Sequence, residues 1–401
     1  MILLLIQLFS LCLVVWSSSS VPRRIARGIL PPAGAAKVDV RYSPGFVPDV
    51  PSNDRRGVKK RRVLGPSYRT DTAPEPLTFY NERYVIPIDI GDQTFHLALD
   101  TGSQDIWVLS SALPASETSG RTVYVPSNSA VDTNRRWHIS YADGSFANGV
   151  VYNDTIAVGN FVIEKQGVYS ANFINGTLLN YPVDGLIGMS LATKESSGDT
   201  SVLSNLQSHG LQSSVFTCAL VRPNERDVQG FCTFGYVYGT SPVAYADVII
   251  DPVDNPNNFW MFPSTTAKIG STVIQRPKNK AIADTGTYLI EVDDALLKEI
   301  YGSVNGKQDS TGFWMYPQNA SFPSITLPVG GFDITLNPGD IDHGPAAKYP
   351  GYNYGTIQSR GSFGADIFGD IWLNNVYAVF DATPGRPRFG VIPRAYGKPV
   401  T

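Results

Sequence analysis

The feature that most restricts this chain of 401 residues is a segment that occurs twice. Leu97-Ala-Leu-Asp100-Thr-Gly-Ser103-Gln-Asp-Ile-Trp-Val108 aligns without a gap on Ala281-Ile-Ala-Asp284-Thr-Gly-Thr287-Tyr-Leu-Ile-Glu-Val292. Each copy is followed by a second element of one shape, Asp184-Gly-Leu-Ile-Gly188 and Asp366-Ile-Phe-Gly369, with 88 and 85 residues from aspartate to final glycine. One half-structure has therefore been used twice, each half presenting one aspartate.

An apolar strand that runs into Asp-Thr-Gly-[Ser/Thr] places a carboxylate where the chain turns. Gly102 and Gly286 let the backbone bend and approach closely, while the hydroxyls of Thr101, Ser103, Thr285 and Thr287 and nearby N–H groups can hydrogen-bond the carboxylates. The apolar-apolar-Gly segment is expected to pass beside this loop, its glycine removing the Cβ that would collide with it. In one half alone the same residues read equally as an Asx-type turn at a strand end. Asp-Thr-Gly arises by chance in roughly one chain of this size in ten and twice in roughly one in a hundred, so the duplication carries the argument. Two carboxylates held close cannot both ionise freely: in acid they share a proton, one acting as base and the other as acid. Asp100 and Asp284 are the candidate pair.

Between Gly, Asn, Asp and Pro punctuation, short β-branched and aromatic runs recur, among them Tyr84–Ile90, Phe95–Leu99, Ile106–Leu109, Gly149–Tyr152, Phe161–Ile163 and Val248–Ile250. Two short helices are expected, Ser201 to His209 stopped by Gly210, and Asp293 to Tyr301 with Asp293 as N-cap and Gly302 as the stop. The length and the 42% apolar composition suit two sizeable cores. Cys218 and Cys232 lie in two β-type runs separated by a polar stretch, so a hairpin would set them opposite each other as a disulfide; two buried free thiols are the alternative.

The N-terminal residues read differently. Met1 to Trp16 is an uncharged apolar run followed by Ser17-Ser18-Ser19-Ser20, which suits a secretory signal over residues 1–20 although a basic n-region is missing. A membrane anchor is the alternative, for which the run is slightly short. No later segment reads as transmembrane, and Arg394 to Thr401 lacks the apolar tail of a lipid-anchor signal. Residues 1–62 hold 11 Lys and Arg against 3 Asp and Glu, a net of +8 in a chain of net −3, which leaves −11 for residues 63–401. A basic leader and an acidic body suit a prosegment over 21–62, extending at most to about 76, that docks while carboxylates are ionised and leaves when they protonate. Lys59-Lys60-Arg61-Arg62 resembles a kexin-like processing site ending at Arg62, and Lys37 is a candidate partner for the aspartates in the zymogen. The sequons at Asn153, Asn175 and Asn319 fit secretion.

These motifs together resemble the pepsin-like aspartic proteases, from Tyr80 to Pro393, and in particular the fungal-type secreted members. The match is carried by the two Asp-Thr-Gly loops and their apolar-apolar-Gly segments, by Trp107, by Ile139-Ser-Tyr141-Ala-Asp143-Gly-Ser145, and by Asp381 closing Val376–Phe380. The resemblance implies an all-β, bilobal fold with few short helices, lobes over 63–240 and 241–401, and a cleft between them. It implies a secreted, monomeric endopeptidase that hydrolyses extended polypeptides at acidic pH, prefers apolar residues around the cut, needs no cofactor or metal, and is inhibited by its own propeptide and by pepstatin-type compounds. Retention in a vacuole or cell wall is a variant of that location.

By the same resemblance Ser103 and Thr287 support Asp100 and Asp284, and Tyr141 is the tyrosine of a flap with Trp107 as its hydrogen-bonding neighbour. Gly144, Ser145, Gly286 and Thr287 bond substrate backbone, and Leu186 with the Leu178-Leu179 region lines a pocket. Asp143 would admit Lys before the cut; a turn aspartate at a hairpin tip is the alternative. Three positions depart from the family pattern. Tyr288 stands where a serine usually follows Asp-Thr-Gly-Thr, the Ile90-Gly91-Asp92-Gln93 turn is short, and the usual disulfide of the C-terminal half is missing.

Other classes fit less well. A pepsin-fold inhibitor such as the plant xylanase inhibitors would not need both aspartates, both hydroxyl partners and Tyr141. A carboxylate-pair glycosidase would not explain the duplicated loops. Gly188-Met-Ser-Leu-Ala192 lacks the last glycine of a serine-hydrolase elbow. Four histidines without His-Glu-x-x-His argue against metal catalysis, and an acidic body argues against nucleic acid.

Overall fold

The structure, a computed structural model, describes residues 75–79, 83–225 and 228–398. The segment expected as signal (1–20), most of the basic segment with Lys37 and Arg62, and all residues to 74 lie outside the described residues. The first described strand, Glu75–Phe79, pairs with both Gly230–Phe234 and Tyr84–Ile90, so the sheet takes up the chain ahead of Tyr80.

The sequence duplication is a duplication of topology. In the first half Gln93–Asp100 lies parallel to Gly185–Gly188, which lies antiparallel to Ile106–Leu109, which in turn lies parallel to Phe161–Ile174. In the second, Lys280–Ala283 lies parallel to Asp366–Phe368, which lies antiparallel to Ile290–Val292, which lies parallel to Ile357–Ser359. The residues that lead into each aspartate, Leu97–Leu99 and Ala281–Ala283, form unbroken apolar, buried runs because both faces of the strands are covered there. The fold is all-β and bilobal.

The two lobes are joined by a sheet of 13 strands. Val215–Ala219 and Gly230–Phe234 from the first half stand in it beside Val376–Asp381 and Arg388–Pro393 from the last part of the chain. Its apolar face builds one core that crosses between the halves, where Phe216 stacks on Phe380 with ring centroids 4.6 Å apart and Trp260 meets both rings edge-on. Fully burying aromatic side chains of this size contributes about 2–3 kcal/mol each. A second cluster lies under the Val131–Ser140 and Phe146–Val158 hairpin and contains Trp107, Trp137, Tyr141, Tyr169 and Leu186.

Cys218 and Cys232 face each other across antiparallel strands and form the disulfide expected of them. The helix Val202–Ser208 is capped by the Ser201 hydroxyl, which accepts from Ser204 N–H. The helix Asp294–Gly302 is capped by Asp293, which accepts from the N–H groups of Ala295 and Leu296; Gly302 is its last residue and Ser303 its C-cap. Val248–Ile250, read from its β-branched residues as a strand, is not one. The preceding strand ends at Asp247, Val248 and Ile249 each donate to a different segment, at Pro387 and Met261, and Ile250 is exposed.

Candidate active site

Each aspartate is held in the same way. Asp100 Oδ1 accepts from Gly102 N–H at 2.8 Å and Oδ2 from the Ser103 hydroxyl. Asp284 Oδ1 accepts from Gly286 N–H at 2.8 Å and Oδ2 from the Thr287 hydroxyl at 2.7 Å. Both carboxyls are fully buried. The loops touch back to back: a Cβ at Gly102 would lie 2.6–2.8 Å from the Asp284 carboxyl, so glycine there is what lets the opposite aspartate approach. Gly188 and Gly369 do the same for the strands behind. A Cβ at Gly188 would strike Gln104 and Asp105 backbone at 2.5–2.6 Å, and one at Gly369 would strike the carbonyls of Thr287 and Leu289 at 2.3 Å.

Burial and then the charge of Asp284 push the Asp100 carboxyl well above the usual carboxylate range, against the hydrogen bonds from Ser103 and Gly102. Burial also raises Asp284, opposed by Thr287, Gly286, the Arg83 charge and a hydrogen bond with Asp100. The pair therefore retains a proton between its members in acid, one carboxyl being able to donate while the other accepts.

The threonines of the two Asp-Thr-Gly loops, expected only to support their own aspartates, tie the halves together. Thr101 Oγ1 accepts from Thr285 N–H at 3.0 Å and donates to Ala283 C=O at 2.9 Å. Thr285 Oγ1 accepts from Thr101 N–H at 3.1 Å and donates to Leu99 C=O at 2.8 Å. The signal was in the repeat, which puts a hydroxyl at the same place in both copies, but the pairing shows only once the two loops are seen together.

Tyr141 opens the turn between Val131–Ser140 and Phe146–Val158. Its N–H donates to Ser145 C=O at 2.9 Å, and Gly144 at the tip has φ +83°. The Trp107 indole N–H donates to the Tyr141 hydroxyl at 2.7 Å. Burial, then the charge of Asp100, push that hydroxyl well above its ordinary value, so Tyr141 is a neutral group beside the first aspartate.

Asp143 takes the Ser145 N–H and hydroxyl on one oxygen, at 2.8 and 2.7 Å, and the Thr177 hydroxyl on the other at 2.6 Å. The tip is thereby fastened to the 3₁₀ turn Gly176–Leu179. Of the four residues expected to meet substrate backbone, Gly144 is exposed; the donors of Ser145, Gly286 N–H and the Thr287 hydroxyl are engaged by Asp143 and Asp284.

Leu178 and Leu186 do share a cavity with Trp107 and Tyr181, of about 20 Å³, whereas Leu179 is exposed. Tyr288 is half-buried with its ring 6.1 Å from that of His343. A larger cavity, about 330 Å³, lies in the second half beside Arg276, Lys278, Asp293 and Arg360, away from both aspartates. Arg276 there pairs with Asp293 and Asp366, and Arg360 with Asp366.

Of the sequons, Asn319 is exposed on a turn and Asn153 is half-buried in a strand. Asn175 accepts Phe146 N–H at 2.7 Å. Among the described residues no three His, Cys, Asp or Glu side chains gather as a metal site, and no helix is long and apolar enough to cross a membrane.

Two acids pushed up by their surroundings had no signal in the sequence, the buried Asp105 and the half-buried Glu291. Asp105 is bound by the Ser196 N–H and hydroxyl at 2.7 and 2.5 Å and is pushed up by burial to about 6. Glu291, on the strand leaving the second aspartate loop, is pushed by burial and the charge of Asp284 up to about 8.

The family model described as eukaryotic aspartyl protease matches residues 83–391. Penicillopepsin-3 of Penicillium janthinellum is 34% identical over 338 residues, 83% of this chain and 84% of that protein. Aspergillopepsin-1 of Aspergillus clavatus is 37% identical over 323 residues, covering 78% and 79%. Endothiapepsin of Cryphonectria parasitica is 32% identical over 365 residues, covering 87% and 84%. Among solved structures the aspartic proteinase from Irpex lacteus superposes with a TM-score of 0.66 at 20% identity, over 82% of this chain and 99% of that one.

Proposed function

This chain belongs to the eukaryotic aspartyl protease family and is an aspartic-type endopeptidase, and from that premise we propose that Asp100 and Asp284 together activate the water that cleaves the peptide bond. The observation that carries this reading is the back-to-back contact of the two duplicated loops, which sets two buried carboxyls against each other. The ionised member takes a proton from water as its oxygen bonds to the scissile carbonyl carbon. The protonated member gives its proton to the carbonyl oxygen as negative charge develops there. As the resulting gem-diol collapses and the C–N bond breaks, the aspartate protonated in the first step gives its proton to the departing nitrogen, the other takes one from a gem-diol hydroxyl, and the pair returns to sharing one. As pH rises past the raised value of Asp100 the shared proton is lost and the acid with it, so the activity belongs to acidic pH.

The chain substrate lies extended in the cleft with Tyr141 and the hairpin tip closing over it and excluding water, and apolar residues flank the cut. Asp143 at that tip admits Lys before the cut; equal turnover of a Lys-containing substrate by wild type and Asp143→Thr would sink this part. The protein is made with a secretory signal and a basic prosegment that occupies the acidic body until acid or a processing protease acting at Arg62 releases it.

The test is cleavage of denatured globin between about pH 3 and pH 7 with and without pepstatin. Wild type cleaves in acid and pepstatin stops it, while Asp100→Asn and Asp284→Asn each lose at least about a thousandfold. Activity that survives either substitution overturns the assignment.

A further inference from the structure

The duplication equates Trp107 with Glu291, and the structure keeps the equation in register. Trp107 stands opposite Leu186 and beside Tyr169; Glu291 stands opposite Ile367 and beside Gln358. In both halves the flanking residues, Ile106 and Val108 or Ile290 and Val292, turn into the common core, so Trp107 and Glu291 point to the other face of their strands. On that face Trp107 meets Tyr141, whose hydroxyl feels the charge of Asp100; Glu291 feels the charge of Asp284. The two positions thus stand at equivalent places, one on the strand leaving each aspartate loop.

What differs is the partner. The Trp107 N–H is bonded, whereas the half-buried Glu291 carboxyl makes no hydrogen bond or ion pair among the described residues. The neighbouring Gln358 amide is taken up by Trp314 N–H and C=O and by Gly355 C=O, and Ile367 with Ile282 and Phe363 forms an apolar cluster behind. A partly desolvated polar group without a partner costs free energy unless something supplies one.

We propose that Glu291 is a specificity-determining residue of the cleft, its carboxyl pairing with the side-chain amide of a Gln or Asn at one position of the polypeptide substrate. The upward shift of Glu291 keeps it protonated where the dyad works. A neutral carboxyl offers one O–H donor and one C=O acceptor side by side, which matches the C=O and N–H of a primary amide in a two-point pair. The inference rests on the endopeptidase reading.

The test is kcat/KM at about pH 4 for a peptide series in which each position around one apolar–apolar cut carries Leu, Gln, Glu or Lys in turn. At one position Gln outperforms Leu in the wild type, and Glu291→Leu lowers that Gln-to-Leu ratio about tenfold. Glu291→Gln, which keeps a donor and an acceptor, holds the ratio within about threefold. No position with a Gln advantage in the wild type, or an unchanged ratio in Glu291→Leu, overturns the proposal, as does Lys outperforming Gln at the position that responds to Glu291. Loss of all pepstatin-sensitive cleavage by the wild type would instead strike the endopeptidase reading itself.

Discussion

Replacing Thr101 by Val changes the shape of the side chain little and its chemistry decisively. The hydroxyl it removes is fully buried and makes two bonds across the lobes, from Thr285 N–H and to Ala283 C=O. No cavity opens, so the cost is that of leaving one N–H and one C=O buried without partners, about 1–3 kcal/mol each. The sum, about 2–6 kcal/mol, is a large share of the roughly 5–15 kcal/mol that holds a domain folded. Thr101→Ser keeps both bonds and loses a methyl group, for about 1 kcal/mol. Urea unfolding followed by tryptophan fluorescence should therefore place Ser near wild type and Val far below it. Because the same bonds fix Asp100 against Asp284, kcat of the Val variant should fall at least about tenfold with a smaller change in KM, and the Ser variant should retain most of it. A Val variant within about 0.5 kcal/mol of wild type and with unchanged kcat would refute the idea that these hydroxyls join the halves.

Three further outcomes follow from other residues. Asp105 is raised from the usual carboxylate range to about 6, so it favours the folded state fully only while protonated; stability should fall by up to about 3 kcal/mol as pH climbs from about 4 to about 6 and then level off. Urea midpoints across that range should show this step flattened in Asp105→Asn. The disulfide closes a loop with a sequence separation of 14, so the Cys218→Ala, Cys232→Ala pair should lose about 3 kcal/mol in the same assay, and loss under about 1 kcal/mol would count against a structural role for it. Tyr141→Phe removes the acceptor of the Trp107 indole; kcat/KM should drop about tenfold while the unfolding midpoint shifts by only about 1 kcal/mol.

The sequence told most where a constraint was local and repeated. Strand polarity around Tyr84–Ile90, the caps Ser201 and Asp293, the facing cysteines and both aspartate loops could be read because each depends on neighbours along the chain. Val248–Ile250 misled because β-branched residues also suit an extended connector whose N–H groups are taken one at a time by other segments. The bond from Thr101 to Thr285 spans 184 residues, and nothing local announces it. Glu291 was invisible for a different reason: a single acid in an apolar run reads as the outward side of an alternating strand, and only the folded loop beside it brings it within the field of Asp284. For Ser145 the family resemblance gave a substrate-backbone contact, and no local pattern announced that Asp143 takes both of its donors.

The shared sheet sets a clock on the whole molecule. Arg388–Pro393 lies between Ala244–Asp247 and Val376–Asp381, and the latter in turn covers the edge of Val215–Ala219. A ribosome making this chain finishes the first lobe's residues long before that lobe can be finished as a structure, since one of its platform strands stays bare until the final residues emerge. The second aspartate, too, has no fixed seat until Asp366–Phe368 arrives beside it. Removing Arg388–Pro393 would strip Ala244–Asp247 of its sheet partner and bare one edge of Val376–Asp381, opening the seam that joins the lobes.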